Sequence, residues 1–291
     1  MSGHARTVSA VRPRRTPHAR EPLATATAPA ERPETACAFT LAACREHTFV
    51  PRHLGLTRRG PRHLRAAARA ALGFPEPESW LDVGTGYGRF PETAKEVFPY
   101  TAFDGLDPSH RVLQARVAER VEEAHVGHLT DPRITDRLRA RYDVVSMFRH
   151  LEHAPDPLAE LRAALAVLRP GGHLILELPN SRCLFAALLG PAWVPHSRPG
   201  HLHLLPADAL REALESHGCT VVTTDHRAAH LPYDLAATTS LLLSRLLPSP
   251  LDRLGAPLVA LAWTLDHLLA PLLRHTPRTN AYRIIARKHQ T

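Results

Sequence analysis

The sequence predicts an α/β fold, a mainly parallel sheet covered by helices on both faces. Two observations carry this. From Trp80 onward, short apolar runs alternate with segments of three- and four-residue periodicity. Repeated β–α–β units of this length build parallel sheets, because the crossover helices must lie on the faces. The first run also leads directly into three glycines at alternate positions, in "WLDVGTGYGRF" (80–90), as in the strand-to-helix turn of a ligand-binding α/β protein.

The elements follow in order. "PRHLRAAARAAL" (61–72) reads as a helix opened by Pro61 and ended at Gly73. "SWLDVG" (79–84) is a strand and "RFPETAKEVF" (89–98) a helix that tolerates Pro91 in its first turn. "TAFDGLD" (101–107) and "HRVLQARVAERV" (110–121) repeat the strand and helix. "YDVVSMF" (142–148) is a later strand, and in "PLAELRAALAVL" (157–168) Leu158, Leu161, Leu165 and Leu168 mark one helical face. "RPGG" (169–172) stops that helix ahead of the buried strand "HLILELP" (173–179). The helix "ADALREALESHG" (207–218) and strand "CTVVTTD" (219–225) follow, and "AYRIIARK" (281–288) alternates as a final edge strand. Ligands of such sheets bind beyond the carboxyl ends of the strands, so chemistry is expected after Val83, Leu106, Met147 and Leu178.

The 291 residues divide into a basic tail without hydrophobic periodicity (1–35) and a single domain (36–291), with order beginning near Phe39 and a core over 75–226. Residues 231–279 break the alternating rhythm with two strongly apolar stretches. Pro257, Asp266, His267 and Pro271 spoil the second as a membrane span. The expected arrangement is a helical hairpin packed on the domain, with a homodimer interface or a membrane surface as alternative contacts. The four cysteines, Cys37, Cys44, Cys183 and Cys219, form no CxxC pair, and the N-terminus lacks an apolar core segment. A reducing, cytoplasmic setting is the expectation. The net charge of +8 invites a nucleic-acid partner, but it rests almost wholly on Arg, Lys95 and Lys288 being the two lysines. Coding-sequence composition accounts for this bias as well as a binding surface does, so nucleic acid is not the expected partner.

The glycines are Gly84, Gly86 and Gly88, with Thr85 and Tyr87 between them. A dinucleotide fingerprint requires G-x-G-x-x-G, and position 89 is Arg. A phosphate loop requires a Lys after its last Gly, which is absent. Asp82, two residues before the first Gly, would repel a pyrophosphate and suits a cation. A ligand with an ammonium and a sulfonium, and a carboxylate for the helix N-terminus, meets all these conditions; S-adenosylmethionine is one. Asp107 in "FDGLDPS", at the end of the next strand, is placed to accept hydrogen bonds from ribose hydroxyls, or is a turn residue before Pro108.

"WLDVGTGYGRF", "FDGLDPS", "YDVVSMFRHLEHAPDP" and "LRPGGHLILELPN", in this order and spacing, resemble the successive motifs of class I S-adenosylmethionine-dependent methyltransferases. The nearest likeness is to the small-molecule group that includes the ubiquinone-biosynthesis O-methyltransferases, over residues 75–226. The resemblance implies a Rossmann-like, mainly parallel seven-stranded sheet with a helical insertion before the last strand. It implies that Asp82, Gly84, Gly86 and Asp107, with Thr85, Tyr87, Gly88 and Pro108 around them, hold the cofactor. Met147 and Phe148 would line its adenine and methyl-donor side.

"RHLEHAPDP" (149–157) is then the expected catalytic loop. Related O-methyltransferases carry a metal-binding E-x-x-E-H there; this chain keeps Glu152 and His153 but has Arg149 for the first Glu, so no metal is expected. His150 or His153 is the candidate general base for a substrate hydroxyl, beside Glu152. His196, His201 and His203 are expected to cap the following helix or meet substrate rather than bind metal. The expected acceptor is a small or lipid-like molecule methylated on oxygen. The rivals are a nucleic-acid methyltransferase, against which "RHLE" stands in place of an (N/D)PPY-type loop, an NAD-type oxidoreductase, and a non-catalytic binding protein.

Overall fold

The computed structural model describes residues 60–197, 200–246 and 255–290. The expectations for the tail at 1–35, for the start of order near Phe39, and for Cys37 and Cys44 fall outside these residues. The elements are α1 (Pro61–Arg69), β1 (Ser79–Val83), α2 (Arg89–Ala94), β2 (Ala102–Asp107), α3 (Arg111–Val117), β3 (Ala124–Val126), α4 (Pro132–Arg137) and β4 (Tyr142–Phe148). After them come α5 (Pro157–Val167), β5 (Leu168–Pro179), α6 (Leu184–Leu189), α7 (Val194–Ser197), α8 (Ala207–Ser216), β6 (Cys219–Asp225), α9 (Asp234–Leu246), α10 (Ala256–Leu273) and β7 (Ala281–Lys288).

The seven strands form one sheet in the order β3-β2-β1-β4-β5-β7-β6. All pairs through β5 are parallel, and β7 runs antiparallel to both β5 and β6. Successive side chains of a strand point to opposite faces, and the core divides accordingly. Trp80, Phe103, Val144, Ile175 and Ile285 pack on one face under α1 and α2. Their neighbours Leu81, Val145, Leu174, Leu176 and Ile284 pack on the other under α5 and α8.

The final strand is not an edge. β7 is inserted between β5 and β6, and its first six residues are buried. One of these is Arg283, whose Nη2 donates to Glu177 Oε2 across the pair at 2.6 Å, each residue 1% exposed. His63 of α1 meets the other oxygen of Glu177 at 3.0 Å, so one buried carboxylate ties the first helix to the last strand. Alternation gave the run the look of an edge; a buried ion pair accounts for its Arg283 instead.

"RPGG" loops out between two parts of β5: the partner of Tyr142 is Leu168, and that of Val144 is His173. Gly171, at φ +78°, supplies the left-handed turn. The insertion is the expected hairpin of α9 and α10. Asp266 of α10 accepts hydrogen bonds from Leu235 N (3.0 Å) and Ala236 N (2.9 Å), occupying two of the N–H groups that α9's first turn leaves unpaired. The acid that spoils α10 as a span is therefore an inward-facing clamp, 2% exposed.

Candidate active site

The sheet order places β2 and β4 on opposite sides of β1, so the connections leaving β1 and β4 diverge at their carboxyl ends and open a crevice. A cavity of about 600 Å³ lies there, lined by Gly84, Asp107, Pro108, His128, Thr130, Asp131, Arg149, His150, His153, Ala154, Pro155 and Glu160. That volume is within the range that encloses small-molecule ligands.

One wall is the glycine turn. Gly84, Gly86 and Gly88 have φ values of +75°, +55° and +70°. A Cβ on Gly84 would lie 2.7 Å from His150 Nδ1, and one on Gly88 2.8 Å from the Ala115 side chain. At Gly86 the nearest atom would be Asp107 Oδ2 at 4.0 Å, so the backbone there faces open space. Asp107 braces the turn: its Oδ2 accepts from Gly86 N at 2.9 Å and its Oδ1 from Ser109 N at 2.8 Å.

The other wall is the segment after β4. Arg149 sits at φ +58°, an uncommon conformation for a residue other than glycine, held because its N–H donates to Glu177 O at 2.9 Å. His150 Nε2 lies 3.0 Å from Glu160 Oε1, a carboxylate 5% exposed on α5. Glu152 is fully buried, with Arg149 Nε 3.1 Å from its Oε1. Burial disfavours the Arg149 charge, but Tyr233, Glu152 and Glu177 together hold its pKa above the ordinary arginine value. His153 Nδ1 lies 2.5 Å from Gly200 O.

The structure thus brings together Gly84, Asp107, Pro108, His150 and His153 from the sequence expectation, and it separates others from the cavity. Asp82 is 4% exposed beneath the turn, accepting from Ser146 Oγ at 2.7 Å, which accepts in turn from Trp80 Nε1 at 2.9 Å. Thr85 turns inward, its Oγ1 without a hydrogen-bond partner among the described residues. Tyr87 points outward, 45% exposed beside Arg111, and not toward the cavity. Met147 is fully buried in the core and Phe148 packs tilted against Phe90, ring centroids 4.4 Å apart, so neither side chain lines the wall expected of it. Position along β4 decides this: the strand's last residues serve the two core faces before the chain reaches the crevice.

The histidines after β5 do not cap α8, whose N-cap is Pro206 without a side-chain bond. His196 and His201 meet the carbonyls of Gly190 and Pro195, and His203 that of Pro155. Leu202 N donates to Glu152 O at 2.8 Å, which lays this loop against the segment after β4. As a result Glu152, His153 and His201 each place a potential ligand atom within 4.8 Å of the others. The Arg149 guanidinium already supplies a positive charge to Glu152 at this place. Sequence reasoning missed His128, Thr130, Asp131 and Glu160. The strand before the first three is only three residues long, too short for periodicity, although "TDP" carries a helix start: Asp131 caps α4 by accepting from Arg133 N at 2.9 Å. Glu160 lies off the face that Leu158, Leu161 and Leu165 mark in the sequence, so its burial on α5 had no local signal.

Residues 56–224 match the model of a methyltransferase-domain family. Among curated proteins, the ubiquinone biosynthesis O-methyltransferase of Alkalilimnicola ehrlichii is 29% identical over 135 residues, covering 45% of this chain and 55% of that one. The protein of the same name from Idiomarina loihiensis is 30% identical over 140 residues, covering 45% and 57%. The chain therefore spans a little over half the length of these relatives. Among solved structures, a SAM-dependent methyltransferase from Archaeoglobus fulgidus superposes with a TM-score of 0.52 at 17% identity, covering 79% of this chain and 95% of that one. The [4+2]-cyclase SpnF superposes equally well, with a TM-score of 0.52 at 20% identity over 78% and 81% of the two chains. Sheet order and family match agree: the chain belongs to the methyltransferase-domain family, and its sheet has the class I methyltransferase fold.

Proposed function

We propose that this enzyme methylates an oxygen of a small or lipid-like acceptor, with His150 as general base. The observation that carries the reading is the pair of walls facing one another across the cavity: the turn braced by Asp107 on one side, the His150–Glu160 pair on the other.

The glycine turn fits the cofactor. A side chain at Gly84 would fill the space between turn and His150, and Gly86 leaves its backbone open. Asp107 Oδ1 is held by Ser109 N and Oγ, while Oδ2 accepts from Gly86 N alone and keeps a lone pair for a ribose hydroxyl. S-adenosylmethionine supplies a methyl group activated on a sulfonium, so the protein's remaining tasks are to align the acceptor and to take its proton.

His150 is built for that second task. With Glu160 accepting the proton on Nε2, Nδ1 is the basic nitrogen, and it faces the glycine turn. Glu160, buried behind it, stabilises the imidazolium formed when the acceptor hydroxyl loses its proton. His153 is less suited: it is exposed, with Nδ1 against a carbonyl. Oxygen as the methylated atom is supported by the two relatives named as O-methyltransferases, and a lipid-like acceptor by the apolar hairpin.

The test is turnover of labelled S-adenosylmethionine with a panel of phenols and enols of increasing alkyl length. Methyl ethers should form, and His150→Gln should lower kcat at least about a hundredfold while cofactor affinity holds. Methylation confined to nitrogen or carbon, or full kcat in the variant, overturns the reading.

A further inference from the structure

We propose that the outer face of α10 docks the enzyme on an anionic lipid bilayer, with the helix lying along the surface. The proposal stands apart from the identity of the methylated atom.

α10 is apolar on two sides. Val259, Ala262, Asp266, Ala270 and Leu273 form the side buried in the domain. Leu258, Leu261, Leu265, Leu268, Leu269 and Leu272 form a second stripe, and each is between 38% and 70% exposed. A helix that is hydrophobic nearly all round is covered on every side in a stable protein or lies in lipid. This one is long and apolar enough to cross a membrane, yet only 28% of it is buried. Crossing would pull Asp266 from the α9 backbone groups that it satisfies, whereas lying flat keeps that clamp and covers the leucines.

Charge selects the occupant. Among the described residues of 234–246 and 255–278, both acids, Asp234 and Asp266, are buried. The exposed full charges are Arg245, Arg274 and Arg278, at the ends of the two helices and just beyond. A second copy related by a two-fold axis would set these arginines against the same arginines. Anionic headgroups instead complement them. The stripe is also small for a dimer: six half-exposed leucines offer on the order of 500 Å², against about 800 Å² per partner in a stable interface. The docked hairpin is joined to the cavity, since Trp193 Nε1 donates to Asp234 Oδ1 at 2.6 Å and Tyr233 hydrogen-bonds Arg149.

The test uses the full chain and vesicles of phosphatidylcholine, alone or mixed with phosphatidylglycerol. The protein should float with the mixed vesicles and about tenfold less with the neutral ones. Leu261→Glu/Leu268→Glu should abolish flotation while S-adenosylmethionine affinity stays unchanged. Leu265→Trp, made in a Trp263→Phe chain because Trp263 of α10 is itself 40% exposed, should gain quenching by brominated lipid relative to Trp263→Phe alone, whose remaining Trp80 and Trp193 are fully buried. Absence of flotation overturns the proposal, as does flotation that survives the double substitution, which would assign binding to the basic N-terminal residues. A dimer dispersed by the double substitution without vesicle binding, or no added quenching in Leu265→Trp, overturns it equally.

Discussion

Replacing Gly84 by Ala separates two costs that the glycine turn avoids. The first is conformational: at φ +75° an L-residue loses about 1–2 kcal/mol, partly offset by the ~0.5 kcal/mol that Gly→Ala gains by restricting the unfolded chain. The second is local contact. The new Cβ would stand 2.7 Å from His150 Nδ1, too close to persist, so the imidazole must move away from Glu160. Loss of that bond leaves a carboxylate only 5% exposed without its partner, costing about 2 kcal/mol. The expected total is about 3 kcal/mol. Gly86→Ala is the internal control, because its φ of +55° carries the first cost and its clearance of 4.0 Å excludes the second. Urea denaturation should place it about 2 kcal/mol above Gly84→Ala. In a His150→Ala background the Gly84→Ala cost should fall to that of Gly86→Ala, a coupling of about 2 kcal/mol. Equal losses at the two glycines, or no coupling with His150, would refute the reasoning.

Asp107→Ala should weaken S-adenosylmethionine binding by at least about tenfold in titration calorimetry, since a charged acceptor is lost from the cavity wall; wild-type affinity would remove the ribose assignment. Glu177→Gln strips the charge facing buried Arg283 and should cost about 3 kcal/mol in urea, with Arg283→Met in the same chain recovering part of it. Burial, reinforced by neighbouring Asp266, pushes the Asp234 carboxyl up to about 7 against the donors Trp193 and Asn280. Between pH values of about 4 and about 7 the folded state then binds a proton that the unfolded chain has lost. This stabilisation is complete below about 4 and disappears as pH rises through about 7. Wild-type Tm should therefore decline from about pH 5 to about pH 8, and Asp234→Asn should flatten the decline; parallel profiles would show that Asp234 ionises elsewhere.

Much of the frame was legible locally. β4, at Tyr142–Phe148, begins and ends where its apolar run predicts, because the limits of a buried strand coincide with those of apolar composition. β6, at Cys219–Asp225, also matches its expected limits, although only Cys219 of this edge strand is buried. α1 ends at Arg69, before Gly73, since the chain already leaves the helix through hydrogen-bonded turns at 70–74. β3 escaped notice because three residues carry no period; it exists by pairing with β2. β7 was recognised as a strand and misplaced as an edge, because pairing order is a long-range property that composition does not encode.

The site divides along the same line. The glycine turn and Asp107 were legible because backbone conformation and the acid at a strand end are local requirements, written within about 25 residues of one another. The outward turn of Tyr87, the burial of Met147 and the withdrawal of Asp82 beneath the turn depended on which face of each element met its neighbours. So did the meeting of His150 with Glu160, ten residues apart, and of Glu152 with the loop carrying Leu202, fifty residues away. The sequence by itself determined the fold class and the glycine turn at the cavity. Only the tertiary structure decided which histidine is backed by a carboxylate and which helix face is left exposed among the described residues, because both depend on contacts between segments that the chain must first fold to bring together.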